Sequence, residues 1–269
     1  MNSKKSKITC IILAAGMGTR LYPITKDCPK CLVNLFGKSL IEYQIEIFRK
    51  FGVDQIIVVS GHLGELISLE NIHIIKNSNY VSTNMLETLF CAKSYMTDIV
   101  IVSYGDIIFE EQVFDKLYNS TDEISVIVDK NWEQFWSLRF ENPLDDAESL
   151  KIDKDGFIQE IGKKTTKIED IQAQYIGLMK FSGHSLKKIK KIYEESKSTS
   201  KNNVNPINPD IPFEKLYLTD FLQELIRQKL KIKSIPISGG WLELDSLNDY
   251  NLYNELFKKN QLKPYFQNN

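Results

Sequence analysis

The chain has 269 residues, of which 42% are hydrophobic and 26% are charged, so it is long and apolar enough to bury a sizeable core. Its 34 Lys and Arg residues balance 35 Asp and Glu residues, and the resulting net charge of -1 excludes a global field that would attract nucleic acid or an anionic membrane. A site for a phosphorylated ligand must therefore be built locally.

Cysteine usage and the length of the apolar runs indicate a cytoplasmic location. The four cysteines, Cys10, Cys28, Cys31 and Cys91, are too few and too unevenly spaced for a disulfide framework. Cys28 and Cys31 form a C-x-x-C pair, but the sequence has no second pair to complete a zinc site. The apolar run at residues 8–15 is too short for a membrane span or a signal peptide. We expect no nucleic-acid or membrane partner, and the oligomeric state, a homodimer included, stays open.

Apolar strands and amphipathic helices alternate along the first half of the chain. Residues 8–15 are a continuous apolar run that ends in glycine, which is typical of a buried parallel strand leading into a ligand loop. The next predicted elements are a helix at 40–51, a strand at 55–60, a helix at 87–95 and strands at 99–103 and 123–128. This order predicts an α/β fold with a doubly wound, mostly parallel, Rossmann-like sheet.

The second half of the chain changes character and predicts a small β-rich annex. Residues 150–161 are typical of a hairpin with its turn at 154–156, and residues 174–181 predict another strand. Residues 196–212 are rich in Ser, Lys, Asn and Pro and predict a loop, for which a role as a lid over substrate is a hypothesis. The remaining predicted elements are a helix at 219–228, a strand at 231–236 and a helix at 249–259.

The clearest chemical motif is LAAGMGTRL at residues 13–21, which is followed by Pro29-Lys30. Its two glycines let backbone N–H groups approach a polyphosphate without a Cβ in the way. Arg20 and Lys30 would neutralise the charge of that polyphosphate. A nucleoside triphosphate is therefore the natural ligand for this loop.

Other nucleotide-binding and catalytic motifs are incomplete. Gly37-Lys38-Ser39 resembles the end of a Walker loop, but position 32 is leucine rather than glycine. The Gly16-x-Gly18 pair lacks the third glycine of a dinucleotide-binding fingerprint. The sequence has no G-x-S-x-G elbow, and its three histidines lack metal-ligand spacing. A P-loop kinase, an NAD enzyme and a serine hydrolase are therefore disfavoured.

Gly16, Gly61 and Asp106 each follow a predicted strand, so we expect them at the carboxyl edge of one sheet. An uncompensated carboxylate at the end of a buried strand is unfavourable, and a metal ion beside Asp106 would compensate it. The alternative is that Asp106 caps a turn and Asp245 caps the last helix.

These motifs resemble the nucleotidyltransferase superfamily, the NDP-sugar pyrophosphorylase-like enzymes that make NDP-sugars and CDP-alcohols on a GT-A-like fold. The similarity continues through VVSG at 58–61, YGD at 104–106 and WLELDS at 241–246, and covers about residues 8–257. STNMLETL at 82–89 and LELDS at 242–246 are most similar to the phosphocholine and aminoethylphosphonate cytidylyltransferase-like branch. The resemblance implies a single domain over residues 1–269, with a nucleotide-binding half at about 8–128 and an acceptor and metal half at about 129–257.

The resemblance implies CTP as the donor, Mg²⁺ as the cofactor, and Arg20 and Lys30 as catalytic residues. Asp106 and Asp245 would hold the ion, with Glu243 as an additional ligand because residues two apart on a strand share a face. Gly61 and Asn84 would lie near the base. The nucleotide-binding residues that it implies are Leu13, Ala14, Ala15, Gly16, Met17, Gly18, Thr19, Arg20, Lys30, Gly61, Asn84, Gly105 and Asp106.

The resemblance also implies an acceptor site after the fourth predicted strand. Its candidate residues are Asp129, Trp132, Trp136, Arg139, Lys163 and Asp220. The two tryptophans would either cage a quaternary ammonium or pack the annex against the core. Arg139 and Lys163 would bind the acceptor phosphate, although such side chains usually lie in solvent. Asp220 would contact an acceptor amine, unless Thr219 merely caps the helix that follows.

The implied reaction is attack by a phosphate or phosphonate oxygen of the acceptor on the α-phosphorus of CTP, with release of pyrophosphate. The implied acceptors are phosphocholine-like compounds, aminoethylphosphonate and amino-acid phosphates, and biosynthesis of a cell-surface polysaccharide is one expected setting. Two alternatives stay open: a sugar-1-phosphate uridylyl- or thymidylyltransferase, and a non-catalytic nucleotide-binding subunit. The clustered charges of Arg20, Lys30, Asp106 and Asp245 argue against the second alternative.

Overall fold

The computed structural model describes residues 6–201 and 204–267 of the chain. Its strands are β1 (Ile8–Ala14), β2 (Asn34–Leu35), β3 (Lys38–Ser39), β4 (Gln55–Ser60), β5 (His73–Lys76), β6 (Ile99–Tyr104), β7 (Ile107–Phe109), β8 (Ile124–Asp129), β9 (Glu148–Ile152), β10 (Ile158–Lys164), β11 (Gln174–Ser182), β12 (Lys233–Ile237) and β13 (Trp241–Glu243). Its helices are α1 (Leu40–Lys50), α2 (Met85–Cys91), α3 (Glu111–Tyr118), α4 (Trp132–Arg139), α5 (Gly183–Ser200), α6 (Leu218–Arg227) and α7 (Leu247–Lys258).

A seven-stranded sheet with the order β12-β8-β11-β6-β1-β4-β5 forms the centre of the molecule. Neighbouring strands are parallel except at β11, which runs antiparallel to both β6 and β8. Alternate residues of β1 enter two different cores: Cys10 and Ile12 pack on one face, and Ile11 and Leu13 on the other. The predicted α/β fold with a mostly parallel, doubly wound sheet is confirmed.

Helices cover both faces of this sheet. Helices α1, α3, α4 and α7 contribute side chains to the core on one face, and α2, α5 and α6 contribute to the core on the other. Because each face of the sheet is covered, the strands are apolar on both sides, which explains the continuous apolar runs in the sequence.

Helix α1 illustrates how the sequence specifies these elements. Ser39 precedes the helix and forms a reciprocal capping box with Glu42, whose carboxylate accepts the Ser39 backbone N–H at 2.8 Å. Ile41, Ile45 and Phe48 lie at spacings of three and four residues and are buried against the sheet. Burying each of these side chains contributes about 1.5–3 kcal/mol.

The strand predicted at residues 174–181 lies in the central sheet rather than in the annex. As β11 it is inserted between β6 and β8, and its pairing with β8 is irregular between Tyr175 and Met179. Gly177 lies in this irregular stretch with a φ of +83°, and a Cβ there would come within 2.5 Å of the Tyr104 ring. Glycine at this position therefore lets Tyr104 pack against the strand.

The loop predicted at residues 196–212 is wrong at its beginning, because α5 continues to Ser200. The buried stripe of α5 consists of Leu186, Ile189 and Tyr193 and ends before the polar last turns. An ion pair across to α2, Lys197 Nζ to Glu87 Oε2 at 2.5 Å, ties down this polar end. Residues 196–200 were predicted as loop because they are polar. They are the end of a helix, which this ion pair holds in place without apolar contacts. Residues 202 and 203, which belong to the predicted loop, lie outside the described residues.

Three two-stranded sheets accompany the central one, and one of them pairs β2 with β3. Strands β9 and β10 form the predicted hairpin, against which α6 packs, and β7 pairs with β13. The predicted nucleotide half and acceptor half both supply strands to the central sheet. No helix within residues 6–201 and 204–267 is both long and apolar enough to cross a membrane.

Candidate active site

The loop after β1 forms one wall of a cleft that Lys30, Asp106 and Asp245 also line. Gly18 has a φ of +63°, and a Cβ there would lie 3.2 Å from side-chain atoms of both Lys30 and Thr25. The Thr25 hydroxyl donates a hydrogen bond to the Gly18 carbonyl at 2.7 Å. Glycine at 18 thus allows the loop to fold back toward Lys30. An ideal Cβ on Gly16, in contrast, has no atom of the described residues within 4 Å.

Pairing of β7 with β13 brings two distant carboxylates together. Asp106 lies between β6 and β7, and Asp245 follows β13. Glu243 is opposite Ile107 in the antiparallel pair, and the next backbone N–H, that of Leu244, donates to the Asp106 carbonyl at 2.9 Å. Asp106 and Asp245 therefore lie side by side at the carboxyl edge of the central sheet.

Lys30 lies between these two carboxylates. Its Nζ donates to Asp106 Oδ2 at 2.7 Å and to Asp245 Oδ1 at 2.9 Å. Arg20 Nη1 is 2.5 Å from the other oxygen of Asp245. Burial alone would lower the pKa of Lys30, but the two carboxylates outweigh it and raise the pKa above its usual value. The ammonium is therefore charged throughout the physiological range.

The two aspartates suit a divalent cation that takes its remaining ligands from elsewhere. Asp106 Oδ1 is buried and has no hydrogen-bond partner among the described residues. Magnesium in phosphate-transfer sites is typically held by one or two carboxylates together with phosphate oxygens and water. Within residues 6–201 and 204–267, no group of three or more His, Cys, Asp or Glu side chains is arranged to hold a metal ion.

Glu243, the third predicted metal ligand, is engaged differently. Its Oε2 accepts a hydrogen bond from Arg139 Nη1 at 2.8 Å. Burial raises the pKa of Glu243; Arg139 lowers it, whereas Asp106 and Asp245 raise it further. Glu243 thus contributes negative charge beside the aspartates while its side chain is held by an arginine.

The cleft between the loop and the carboxylates has a volume of about 310 Å³. All of the predicted nucleotide-binding residues except Gly61 line it. Gly61 has an indirect role, since a Cβ there would lie 2.4 Å from the Ala15 carbonyl oxygen and 2.7 Å from Tyr80 Cβ. Asn84 caps α2 through its Oδ1, which accepts from the Met85 N–H at 2.9 Å.

The cleft also contains residues that the sequence did not single out, namely Cys31, Tyr80, Thr83, Met85, Thr88 and Tyr104. Buried Asn77 orders part of this wall, because its Nδ2 donates to the hydroxyls of Thr83 and Thr88 at 2.9 and 3.0 Å. Asn77 directly follows β5, a short edge strand whose exposed side chains hide the apolar pattern of a strand. Recognising β5 would have placed this segment at the carboxyl edge of the sheet.

A second cavity, of about 200 Å³, adjoins the cleft. Met85 and Tyr104 line both spaces and thus mark their junction. Three carboxylates, those of Asp146, Glu148 and Glu243, line the second cavity. A cleft in which Lys30 and Arg20 are balanced by two aspartates therefore opens beside an acidic cavity.

Glu148 is a second carboxylate of this cavity, beside Glu243, whose pKa is raised. Burial raises its pKa to about 7, and the neighbouring charges of Asp220 and Asp146 add to this effect. A hydrogen bond with Thr219 acts in the opposite direction and does not compensate. An ionised Glu148 is thus stabilised by whatever cation enters the cavity.

Comparison with known proteins identifies the family to which the chain belongs. Residues 10–160 match the MobA-like NTP transferase domain, which is more than half of the chain. A protein of Campylobacter jejuni named CTP:phosphoglutamine cytidylyltransferase is 41% identical over 254 residues, which cover 90% of this chain and 97% of that protein. The chain belongs to the MobA-like NTP transferase family. It is a nucleotidyltransferase.

Other relatives of this nucleotidyltransferase match in part or in fold. A choline-phosphate cytidylyltransferase of Streptococcus pneumoniae is 35% identical over 115 residues, which are 41% of this chain and 50% of that protein. The solved structure of a CTP:phosphocholine cytidylyltransferase from Streptococcus pneumoniae covers 93% of this chain and 99% of its own, with a TM-score of 0.69 and 23% identity. That of an inositol-1-phosphate CTP transferase from T. maritima covers 98% and 99%, with a TM-score of 0.69 and 22% identity. At these identities the two structures support the fold alone.

Several predicted acceptor residues of the nucleotidyltransferase are buried supports instead. Asp129 is fully buried and accepts hydrogen bonds from the Trp241 indole N–H at 2.8 Å and from the Gly239 backbone at 3.1 Å. Trp132 and Trp136 are each only 4% exposed and pack edge to face, with ring centroids 6.3 Å apart. The packing alternative therefore describes this pair, although Trp136 also lines the second cavity.

Arg139, which was predicted to bind the acceptor phosphate, is likewise paired within the protein. Its side chain is 1% exposed and donates to Asp249 Oδ1 at 2.9 Å, Asp249 Oδ2 at 3.2 Å and Glu243. Asp249 in turn accepts the backbone N–H groups of Asp245 and Ser246 at 3.1 and 2.8 Å. Arg139 therefore supports the segment that carries Asp245.

Lys163 and Asp220 also lie outside both cavities. Lys163 is an exposed residue of β10 that pairs with Glu160. Asp220 accepts the backbone N–H of Tyr217 at 2.9 Å and so caps α6. The capping is done by Asp220 rather than by Thr219, which lines the second cavity. The charge of Asp220 also contributes to the raised pKa of Glu148.

Proposed function

We propose that this nucleotidyltransferase transfers CMP from CTP to a phosphorylated small molecule that carries a primary ammonium group. The choice of CTP is supported by the Campylobacter jejuni relative, which matches nearly its whole length and is named for CTP. The partial match to a choline-phosphate cytidylyltransferase agrees with it. In both names the acceptor is a phosphorylated compound that contains nitrogen.

The observation that carries the proposal is the junction, at Met85 and Tyr104, between the cleft that contains Lys30 and Arg20 and the acidic second cavity. Lys30 and Arg20 lie on the cleft side, where an anionic triphosphate would be bound. Glu148 and Asp146 lie on the other side, where a cation would be bound. An acceptor with a phosphate at one end and an ammonium at the other would place its phosphate at the junction and its ammonium among the carboxylates.

The carboxylates of the second cavity favour a primary over a quaternary ammonium. A quaternary ammonium is typically recognised by open aromatic faces. Aromatic residues do line this cavity, but two of them, Trp136 and Trp241, are packed in a cluster with Trp132 and Phe135. The carboxylates of this cavity, and the amide oxygen of Gln174, which also lines it, accept hydrogen bonds. A primary ammonium can donate three such bonds, and a quaternary one donates none.

Catalysis would consist of positioning and charge neutralisation. Backbone N–H groups of the 13–20 loop would hold the triphosphate, while Arg20 and Lys30 neutralise charge that moves toward the departing pyrophosphate. Asp106 and Asp245 would hold Mg²⁺, which supplies Lewis-acid polarisation of the α-phosphate. An acceptor oxygen forms the new bond to the α-phosphorus, and the bond to the bridging oxygen of pyrophosphate breaks.

The test is release of pyrophosphate by the purified chain with Mg²⁺ and each of CTP, UTP, ATP, GTP and dTTP. The acceptors are amino-acid phosphates, aminoethylphosphonate, phosphocholine, glycerol phosphate and sugar 1-phosphates, and Asp106→Ala is the inactive control. We expect turnover with CTP and an amine-bearing acceptor, with phosphocholine a poorer substrate. Turnover only with UTP or dTTP and a sugar 1-phosphate would refute the donor and the acceptor, and a preference for phosphocholine would refute the primary ammonium.

A further inference from the structure

The ammonium of Lys30 occupies the space in front of both candidate metal ligands. Its Nζ is 2.7 Å from Asp106 Oδ2 and 2.9 Å from Asp245 Oδ1, and the side chains of all three residues are less than a fifth exposed. Arg20 is 2.5 Å from the second oxygen of Asp245, although its own side chain is 69% exposed. Three of the four carboxylate oxygens are thus already paired with cations of the chain.

A divalent cation and an ammonium cannot share these oxygens without strong repulsion. The remaining oxygen, Asp106 Oδ1, is buried and unpaired, so by itself it offers a single ligand. A metal ion that arrives alone must therefore displace Lys30. Because the lysine side chain is largely buried, a displaced ammonium needs another anionic partner nearby.

A bound triphosphate would provide that partner. Lys30 lines the same cleft as Gly16 and Gly18, and Arg20 extends from the same loop. We propose that Lys30 is an internal counter-ion of the metal site, which releases Asp106 and Asp245 only when the phosphates of a nucleotide draw its ammonium into the cleft. Metal and nucleotide then bind as one coupled event, and neither carboxylate is left unpaired at any stage.

This inference rests on the proposed nucleotidyl transfer, but its critical measurement needs no nucleotide. Binding of Mn²⁺ alone to the full chain can be followed by the loss of the electron paramagnetic resonance signal of the free ion. The chain is compared with Lys30→Met and with Lys259→Met, which removes an exposed lysine paired with Glu255 at the end of α7. Circular dichroism and thermal unfolding establish that each variant is folded.

We expect Lys30→Met to bind Mn²⁺ alone about 10-fold more tightly than the unchanged chain, within the usual range of coupling between two ligands. Lys259→Met should bind as the unchanged chain does, and the double variant Lys30→Met/Asp106→Asn should lose the gain. Equal Mn²⁺ affinity of the folded Lys30→Met variant and the unchanged chain would overturn the proposal. An error in the choice of CTP would leave these nucleotide-free results untouched.

A second measurement uses the unchanged chain and so does not depend on the folding of a variant. Nitrogen-15 NMR of the lysine ammonium groups, assigned with Lys30→Met or Lys30→Gln, reports the surroundings of Lys30 Nζ. We expect the Lys30 resonance to shift when a triphosphate is added without metal, and to remain unchanged with stoichiometric Mg²⁺ alone. A shift of the same size with Mg²⁺ alone would show that the metal displaces Lys30 unaided, and would overturn the proposal.

Discussion

Replacement of Glu148 by glutamine should stabilise the protein and impair its use of the acceptor. Glutamine keeps the shape of the side chain and its ability to accept a hydrogen bond from Thr219, but it removes the charge. The pKa of Glu148 is raised from 4.5 to about 7 by burial and then by Asp220 and Asp146. At about 1.4 kcal/mol for each tenfold change in the proton-binding constant, this shift corresponds to about 3 kcal/mol at most.

The sign of this effect depends on pH. A carboxyl group whose folded pKa lies above its unfolded pKa favours folding below the unfolded pKa, and that advantage is lost as the pH rises through the folded pKa. Below pH 4.5 Glu148 is protonated in both states, whereas above pH 7 the folded protein bears the whole unfavourable term. Because Glu148 is partly exposed, screening reduces the expected difference to about 1–3 kcal/mol, or about 2–5 °C in Tm at pH 8.

The acceptor should respond in the opposite direction. Loss of a partly buried carboxylate from a charge pair with an ammonium weakens binding by about 2 kcal/mol or more, so the KM for the acceptor should rise about 30-fold. The unchanged chain should show a rise in kcat/KM for the acceptor as the pH increases through about 7, and the variant should lack it.

Thermal unfolding at pH 4.5 and pH 8 and steady-state kinetics at several pH values test both parts. Glu141→Gln is the matched control, because Glu141 is exposed and lines neither cavity. A Glu148→Gln variant that is less stable than the unchanged chain at pH 8, or that retains the acceptor KM, would refute the reasoning.

Three further predictions follow from the site. Asp106→Asn should leave the fold intact by circular dichroism and reduce pyrophosphate release by about 10²-fold or more; wild-type turnover would exclude an electrostatic role. Arg139→Met leaves the carboxylates of Asp249 and Glu243 without their cation and should reduce the free energy of unfolding in urea by about 3–5 kcal/mol, whereas an unchanged midpoint would show that this network is not stabilising. Gly16→Ala should keep the Tm of the unchanged chain, because no described atom lies within 4 Å of the new Cβ. The same variant should bind CTP about 10-fold more weakly in calorimetry. An unchanged affinity for CTP would show that the phosphates are bound elsewhere.

The local pattern of the sequence was enough to predict most strands of the central sheet and the edge where its ligand loop lies. Each buried parallel strand is a short apolar run, and the residues that follow β1 and β6 are therefore at one edge. The glycine loop and Asp106 could be predicted because their chemistry is local: a backbone that approaches phosphate and a carboxylate at the end of a buried strand. Helices α3, α4 and α5 were missed because their apolar stripes are short or interrupted by charged residues.

Tertiary structure alone decided which charges face the ligand and which face each other. Lys30 lies 76 positions from Asp106 and 215 from Asp245, and only the pairing of β7 with β13 brings the two carboxylates to the same ammonium. Arginine commonly binds anions, yet in the structure Arg139 of α4 pairs with Asp249 of α7 and Glu243 of β13. Residue type and spacing determine what a side chain can bind, whereas burial and long-range pairing determine which partner it meets.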